Sequence, residues 1–318
     1  MRVLVTGSAG RVGRRVVDLL LARGDAVTGF DLRSIGREHR AYREIVGDLG
    51  DNQAIAQAIA DADAVLHLGA FMSWLPAEAE RVYEANATAS FKLLQAAANA
   101  SVSRFVLASS GEVYPEVRAR RRPVDEDHPR EPISVYGLSK LVAEEMVAFF
   151  HRTRGLPFVM LRLSHTQDAD ELLDPLSFFS GPRFYLRPKI RQQREFGNAR
   201  ALAVLEPLDD GTDKHLVQCD EDGIPYRMMI ADARDIAAGI VLALDSPRAV
   251  DATMNLGPDE ATSFDEAVAL LQARTRLPVV RANMPGPPVR YETSNARARD
   301  LLGFRPQYAF ARMVEDAK

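Results

Sequence analysis

The chain has 318 residues, 47% hydrophobic and 26% charged, a balance that suits a globular protein with a sizeable core and excludes long disorder. Its formal net charge of −4 excludes a general affinity for nucleic acid. The single cysteine, Cys219, excludes an internal disulfide and a cysteine-built metal site, and the six scattered histidines show no His-Glu-x-x-His spacing, so no metal is expected.

Arg2–Thr6 reads as a strand, without the longer apolar run of a signal peptide. Arg11–Arg23 follows as a helix and Ala26–Asp31 as a second strand. A third strand is expected at Arg43–Val46 and a helix at Asn52–Ala60. Ala64–Leu68 reads as a buried strand, Ala79–Ala100 as a long helix and Arg104–Ser109 as a further strand. Val135–Arg154 is helical and Phe158–Leu163 extended. Strands alternating with helices predict right-handed crossovers and a parallel sheet, an α/β Rossmann fold. Residues 164–230 are richer in Pro, Gly and charge, with a hairpin turn expected at Asp220–Gly223. Helices are expected again at Asp235–Leu244, Phe264–Thr275 and Ser294–Leu302. The division implied is a core over 1–165, to which segments near 226–256 return, and a smaller substrate lobe over most of 166–318. No segment reaches the ~18 apolar residues of a membrane span, so a cytoplasmic protein is expected.

Gly7-Ser8-Ala9-Gly10-Arg11-Val12-Gly13 joins the first strand to the first helix. Small residues let backbone approach a pyrophosphate, and the helix start offers free N–H groups and the positive end of its dipole. Asp31, with Leu32 and Arg33 after it, ends the second strand. A carboxylate there can accept from adenosine ribose hydroxyls and repel the extra phosphate of NADP, a choice that Arg33 would soften. Asp48 and Leu49 follow the third strand, where they could hold the adenine edge.

Tyr136 and Lys140 are four apart on a helix and share one face. An ammonium beside a phenol lowers its pKa and suits it to take a proton from a sugar hydroxyl. Ser109 and Ser110 end a strand at the crevice side of such a sheet, where Ser110 could hold the reacting oxygen. Arg183, Arg187, Lys189, Arg191, Arg194 and Arg200 are opposed only by Glu195, and could clamp a diphosphate or carboxylate. Phe178, Phe179, Phe184 and Tyr185 read as local packing.

The order of these pieces resembles the extended short-chain dehydrogenase/reductase family of the NAD-dependent epimerase/dehydratase type. The resemblance is carried by Thr6-Gly7-x-x-Gly10-x-x-Gly13, Asp31, Asp48-Leu49, His67-Leu68-Gly69-Ala70, Asn86, Ser110-x-x-Val113-Tyr114 and Tyr136-x-x-x-Lys140. It continues through Asp235-Ile236-Ala237, Asn255-Leu256-Gly257 and Leu302-Gly303-Phe304-x-Pro306. It implies Ser110, Tyr136 and Lys140 as the catalytic set, with Glu112 as a further candidate. NAD would be held by Gly7, Gly10, Arg11, Val12, Gly13, Asp31, Leu32, Arg33, Asp48, Leu49, Leu68, Gly69, Ala70, Asn86 and Ser109, together with Tyr136 and Lys140. Ser73, Ser110, Glu112, His165, Arg187 and Arg191 would meet a sugar or nucleotide-sugar substrate. His165 stands where family members that take nucleotide sugars carry an asparagine. The reaction expected is nucleotide-sugar epimerisation at C4. A net dehydrogenase of a free sugar or sugar acid, or a dehydratase or decarboxylase, is the alternative, and an NAD-sensing regulator stands outside enzymes. A homodimer is expected.

Overall fold

Val3, Leu4 and Val5 are enclosed on both sides, as the central strand of a parallel sheet requires. In the computed structural model, which describes residues 1–318, they belong to β1 (Arg2–Thr6). The chain continues through α1 (Arg11–Ala22), β2 (Ala26–Asp31), β3 (Tyr42–Val46), α2 (Asn52–Ile59) and β4 (Ala64–His67). Next come α3 (Ala79–Tyr83), α4 (Ala89–Ala100), β5 (Arg104–Ser110), α5 (Val135–Arg154) and β6 (Phe158–Leu163). The helix expected over 79–100 is interrupted by a π-helical turn at Glu84–Thr88, which carries Asn86.

The loosely patterned stretch holds β7 (His165–Gln167), α6 (Ser180–Phe184), α7 (Leu186–Glu195), α8 (Ala199–Leu205), β8 (His215–Cys219), β9 (Arg227–Met228) and β10 (Ile230–Asp232). It is followed by α9 (Ala233–Asp245), β11 (Ala252–Leu256), β12 (Thr262–Ser263) and α10 (Phe264–Thr275). The chain closes with β13 (Val279–Asn283), β14 (Arg290–Tyr291), α11 (Ala296–Leu302) and α12 (Phe310–Asp316).

Seven parallel strands run in the order β11-β6-β5-β4-β1-β2-β3. β11 comes from late in the chain and lies on the outer edge beside β6. Val16, Val17 and Leu20 of α1 share one apolar layer with Ile236 and Ile240 of α9, Ala298 of α11 and one face of the sheet. Leu93, Leu94, Val147 and Phe150 of α4 and α5 cover the other face. A separate apolar cluster joins α6, α7, α8, α10 and α12 to β8 and β13. The order changes direction at β1, between β4 and β2, and the crevice beyond the strand C-termini opens there, the position where such sheets take ligands. No helix is long and apolar enough to cross a membrane.

Candidate active site

Two joined cavities occupy that crevice, sharing Gly7, Gly10, Leu68 and Ala70 on their walls. The glycine loop makes the junction. Gly7 has φ +69°, and a Cβ there would come 2.6 Å from Gly69 N. A Cβ on Gly13 would come 2.0 Å from Gly7 O, so the helix start can approach the strand end only with glycine at both places. No side chain caps α1, which leaves its first N–H groups available to an anion.

The first cavity, about 380 Å³, is lined by Asp31, Leu32, Arg33, Asp48, Leu49 and Gly69, with Phe30, Gly47, Phe71 and Ala85 in addition. Asp31 accepts from Ala9 N at 3.0 Å and from Arg33 N at 3.2 Å, so its carboxylate tightens the loop while facing the cavity. Negative charge here is predicted to favour NAD over NADP. Asp31→Asn keeps an acceptor for Ala9 N–H but loses the charge, and should cut that preference about tenfold or more. Fluorescence titration with both dinucleotides checks this. Equal NADP binding by the unaltered protein would make Arg33 the dominant contact.

The second cavity, about 330 Å³, is lined by Arg11, Val12, Gly13, Ser109, Ser110, Glu112, Tyr136, Lys140 and His165. β5 delivers the two serines, α5 delivers Tyr136 and Lys140, and β7 delivers His165. Ser134 caps α5 through Gly137 N at 2.9 Å, which fixes the helix start carrying Tyr136. Lys140 Nζ donates to Ala108 O at 2.9 Å and lies 5.8 Å from the Tyr136 ring centroid.

Burial governs the charge states. It pushes the Tyr136 phenol well above its ordinary value, with Glu112 adding in the same direction and a Ser110 hydrogen bond opposing. The lowering expected from Lys140 is not among the effects that set this phenol. Burial pushes Lys140 itself down to about 8, partly offset by Glu144. Glu112 is pushed up to about 7 by burial and by Glu116. Its carboxylate is held by Trp74 Nε1 at 3.0 Å and Ser134 Oγ at 2.6 Å. His67, sealed between Thr6 Oγ1 at 2.7 Å and Ser90 Oγ at 2.8 Å, is pushed down to about 3 by burial and by Lys140, and stays neutral.

Several predicted residues lie elsewhere. Asn86 stands behind the cavity wall: its amide bonds both backbone groups of Phe71 at 2.8 Å and Ser139 Oγ at 3.1 Å. It positions the loop after β4. Ser73 Oγ accepts from Leu75 N and is not on the wall. Arg187 and Arg191 are on the exposed side of α7, Arg187 beside Asp209 and Asp213. The cations of that stretch facing a cavity are Arg183 and Lys189. Phe184 and Tyr185 do pack in the second core, but Phe178 and Phe179 line the site, Phe178 stacked on Trp74 at 5.3 Å.

Residues not anticipated from the sequence include Met72, Trp74, Glu116, Thr166 and Tyr291. None of them had a readable period: Glu116 is four after Glu112, but it lies beyond a single 3-10 turn that ends at Val113. No three His, Cys, Asp or Glu side chains converge as metal ligands.

The sequence profile described as the NAD dependent epimerase/dehydratase family matches residues 3–167. A short-chain dehydrogenase/reductase superfamily protein from Agrobacterium tumefaciens, crystallised with bound NAD, is 52% identical. The match covers 100% of this chain and 96% of that one, with a TM-score of 0.94. UDP-glucose 4-epimerase of Streptococcus mutans is 26% identical over 97% of this chain and 92% of its own. Uronate dehydrogenase of Pseudomonas syringae pv. tomato is 30% identical over 51% of this chain and 58% of its own.

Proposed function

The chain belongs to the NAD-dependent epimerase/dehydratase family, and from that membership we propose that it is an NAD-dependent sugar epimerase, inverting C4 of a nucleotide sugar. One arrangement supports this: Tyr136, Lys140 and Ser110 share the walls of a cavity with the Gly7–Gly13 loop, so an alcohol at the phenol would lie beside a dinucleotide. The residues present fit the cofactor: Asp31 would take the ribose, and the uncapped helix N–H groups would take the pyrophosphate. NAD, when bound, supplies a hydride acceptor and donor and brings a positive ring charge.

The chain's own groups do the remaining work. The Tyr136 oxygen takes the hydroxyl proton as the alcohol becomes a ketone, and returns it in the reverse sense. Ser110 Oγ holds the reacting oxygen. Lys140, anchored on Ala108 O, supplies positive charge that favours the phenolate. Inversion requires the ketone to turn and present its other face. The cytoplasm and a homodimer belong to the same proposal. Phe91 and Phe149, half-exposed on α4 and α5, give such a dimer an apolar face.

A net dehydrogenase acting on a free sugar or sugar acid is the second reading. His165 favours it, standing on the cavity wall with Nε2 3.1 Å from Glu116 Oε1 where the resemblance leads to an asparagine. The two readings separate when the protein, given NAD, is incubated with UDP-glucose, glucose and glucuronic acid. Isomerised sugar without net NADH supports the epimerase. NADH matched by oxidised sugar supports the dehydrogenase. Neither on any of them contradicts both.

A further inference from the structure

A third cavity, about 220 Å³, opens beside the reaction chamber, with His165, Phe178 and Phe179 on the walls of both. Arg183 and Lys189 line it, and neither forms an ion pair with a carboxylate. The guanidinium of Arg183 is 5.6 Å from the Phe179 ring centroid, and its Nη2 is 3.5 Å from His165 Nδ1. Its Nη1 is buried and has no hydrogen-bond partner at all. Lys189 Nζ has only a neutral partner, Gln192 Oε1 at 3.0 Å. Burial pushes Arg183 down to about 10 and Lys189 to about 8, and the Arg183 charge adds to the effect on Lys189, so the two cations feel each other. Glu116, the carboxylate whose charge Arg183 feels, reaches it through His165.

Three exposed cations of the same stretch have carboxylates nearby: Arg187 has Asp209 and Asp213, Arg194 has Glu206, Arg200 has Glu221, while Arg191 is left to water. The buried guanidinium of Arg162 is paired with Glu144 through two nitrogens. Holding two like charges part-buried with no direct carboxylate partner is costly, because each has lost water and Arg183 meets the charge of Glu116 only through His165. The surroundings nonetheless hold the pair in place. Gln218 Nε2 donates to the carbonyls of Pro182 at 3.3 Å and Arg183 at 2.7 Å, fixing the backbone from which the guanidinium projects. Trp74, Phe178 and Phe179 make up part of the apolar wall of the cavity.

We propose that Arg183 and Lys189 form an oxyanion subsite that receives the charged group of the substrate, a carboxylate or a phosphate, while the alcohol to be oxidised lies at Tyr136. The inference rests on the reading of the adjoining chamber as the place of sugar oxidation. His165 lies on the walls of both cavities.

The test is calorimetric titration of the NAD-loaded protein with inorganic phosphate, glucuronic acid, UDP-glucose and neutral glucose. At least one anion should bind, and tighter than glucose. Arg183→Met and Lys189→Met should each weaken that anion about 10- to 100-fold, the range for hydrogen bonds to charged groups. Their affinity for NAD should not change. Glucuronic acid binding without UDP-glucose assigns a carboxylate, and the converse assigns a phosphate. Melting without ligand gives an independent readout: removing a part-buried cation that has no direct carboxylate partner should raise the melting temperature of Arg183→Met. Anions that all fail to bind, or that bind both variants as they bind the original, overturn the subsite. So does a lowered melting temperature with unchanged anion affinity. Turnover unaffected by either substitution would sink the subsite and leave the sugar chemistry standing. Anion binding lost in the variants, with no hydride transfer from any sugar, would do the reverse.

Discussion

Tyr136→Phe is expected to remain folded, to bind NAD as before and to lose about 10²–10⁴ in kcat, the usual cost of removing a general base. The ring is 5% exposed, so phenylalanine keeps its packing and deletes only the oxygen. The measurement is turnover under saturating NAD, with dinucleotide affinity measured separately. Lys140→Met should lower both, since its ammonium serves the phenol and faces the cavity that the Gly7–Gly13 loop also lines. Ser110→Ala should cost less than Tyr136→Phe, because water can replace a single hydrogen bond. Near-normal turnover of Tyr136→Phe would move the proton to Glu112, whose carboxyl already lies at about 7, or to His165.

The largest effect on stability is expected at Glu144. Its carboxylate is fully enclosed and accepts from Arg162 Nε at 2.9 Å, Arg162 Nη2 at 2.8 Å and Ser109 Oγ at 2.6 Å. Arg162 also donates to Tyr114 Oη at 2.7 Å. Hydrogen bonding and the charge of Glu144 hold the Arg162 pKa above its ordinary value despite burial, so the guanidinium keeps its charge. Glu144→Ala strands that charge in the interior, for which about 3–5 kcal/mol of unfolding free energy is the expected loss. Urea unfolding reads it directly. Asp300→Ala removes the partner of Arg248 in a pair with both side chains more than half exposed, and should cost at most about 1 kcal/mol. Equal losses for the two would mean that the Arg162–Glu144 pair is as well solvated as the surface pair. The buried network joins β5, β6 and α5, so Glu144→Ala should also loosen the placement of Tyr136 and Lys140.

The parts legible in the sequence are those written locally. Strand, glycine loop and helix from Arg2 to Ala22 follow from neighbouring residues, as does α5 with Tyr136 and Lys140 one turn apart. The lobe after Leu163 was less readable because its ladders join distant short segments. β8 pairs with β13 some sixty residues on, and β9, two residues long, pairs with both β12 and β14. Two or three residues carry no period to read. The charges of residues 183–200 were plain, but not their direction. Tyr185, extended at φ −127° and ψ 136°, breaks α6 from α7, so helical spacing cannot be carried from Arg183 to Arg187. Within α7 a pattern was available. Leu186, Ile190 and Gln193 form the buried face, and Lys189 falls on it at i+3, while Arg187 and Arg191 turn outward.

UDP-glucose deuterated at C4 tests the proposed reaction most directly, with product and cofactor both examined by mass spectrometry. Epimerisation by transient hydride transfer predicts a C4-inverted sugar that keeps its deuterium, with no labelled NADH released. Deuterium in free NADH, matched by oxidised sugar, or an inverted sugar that has exchanged its deuterium with water, would contradict it.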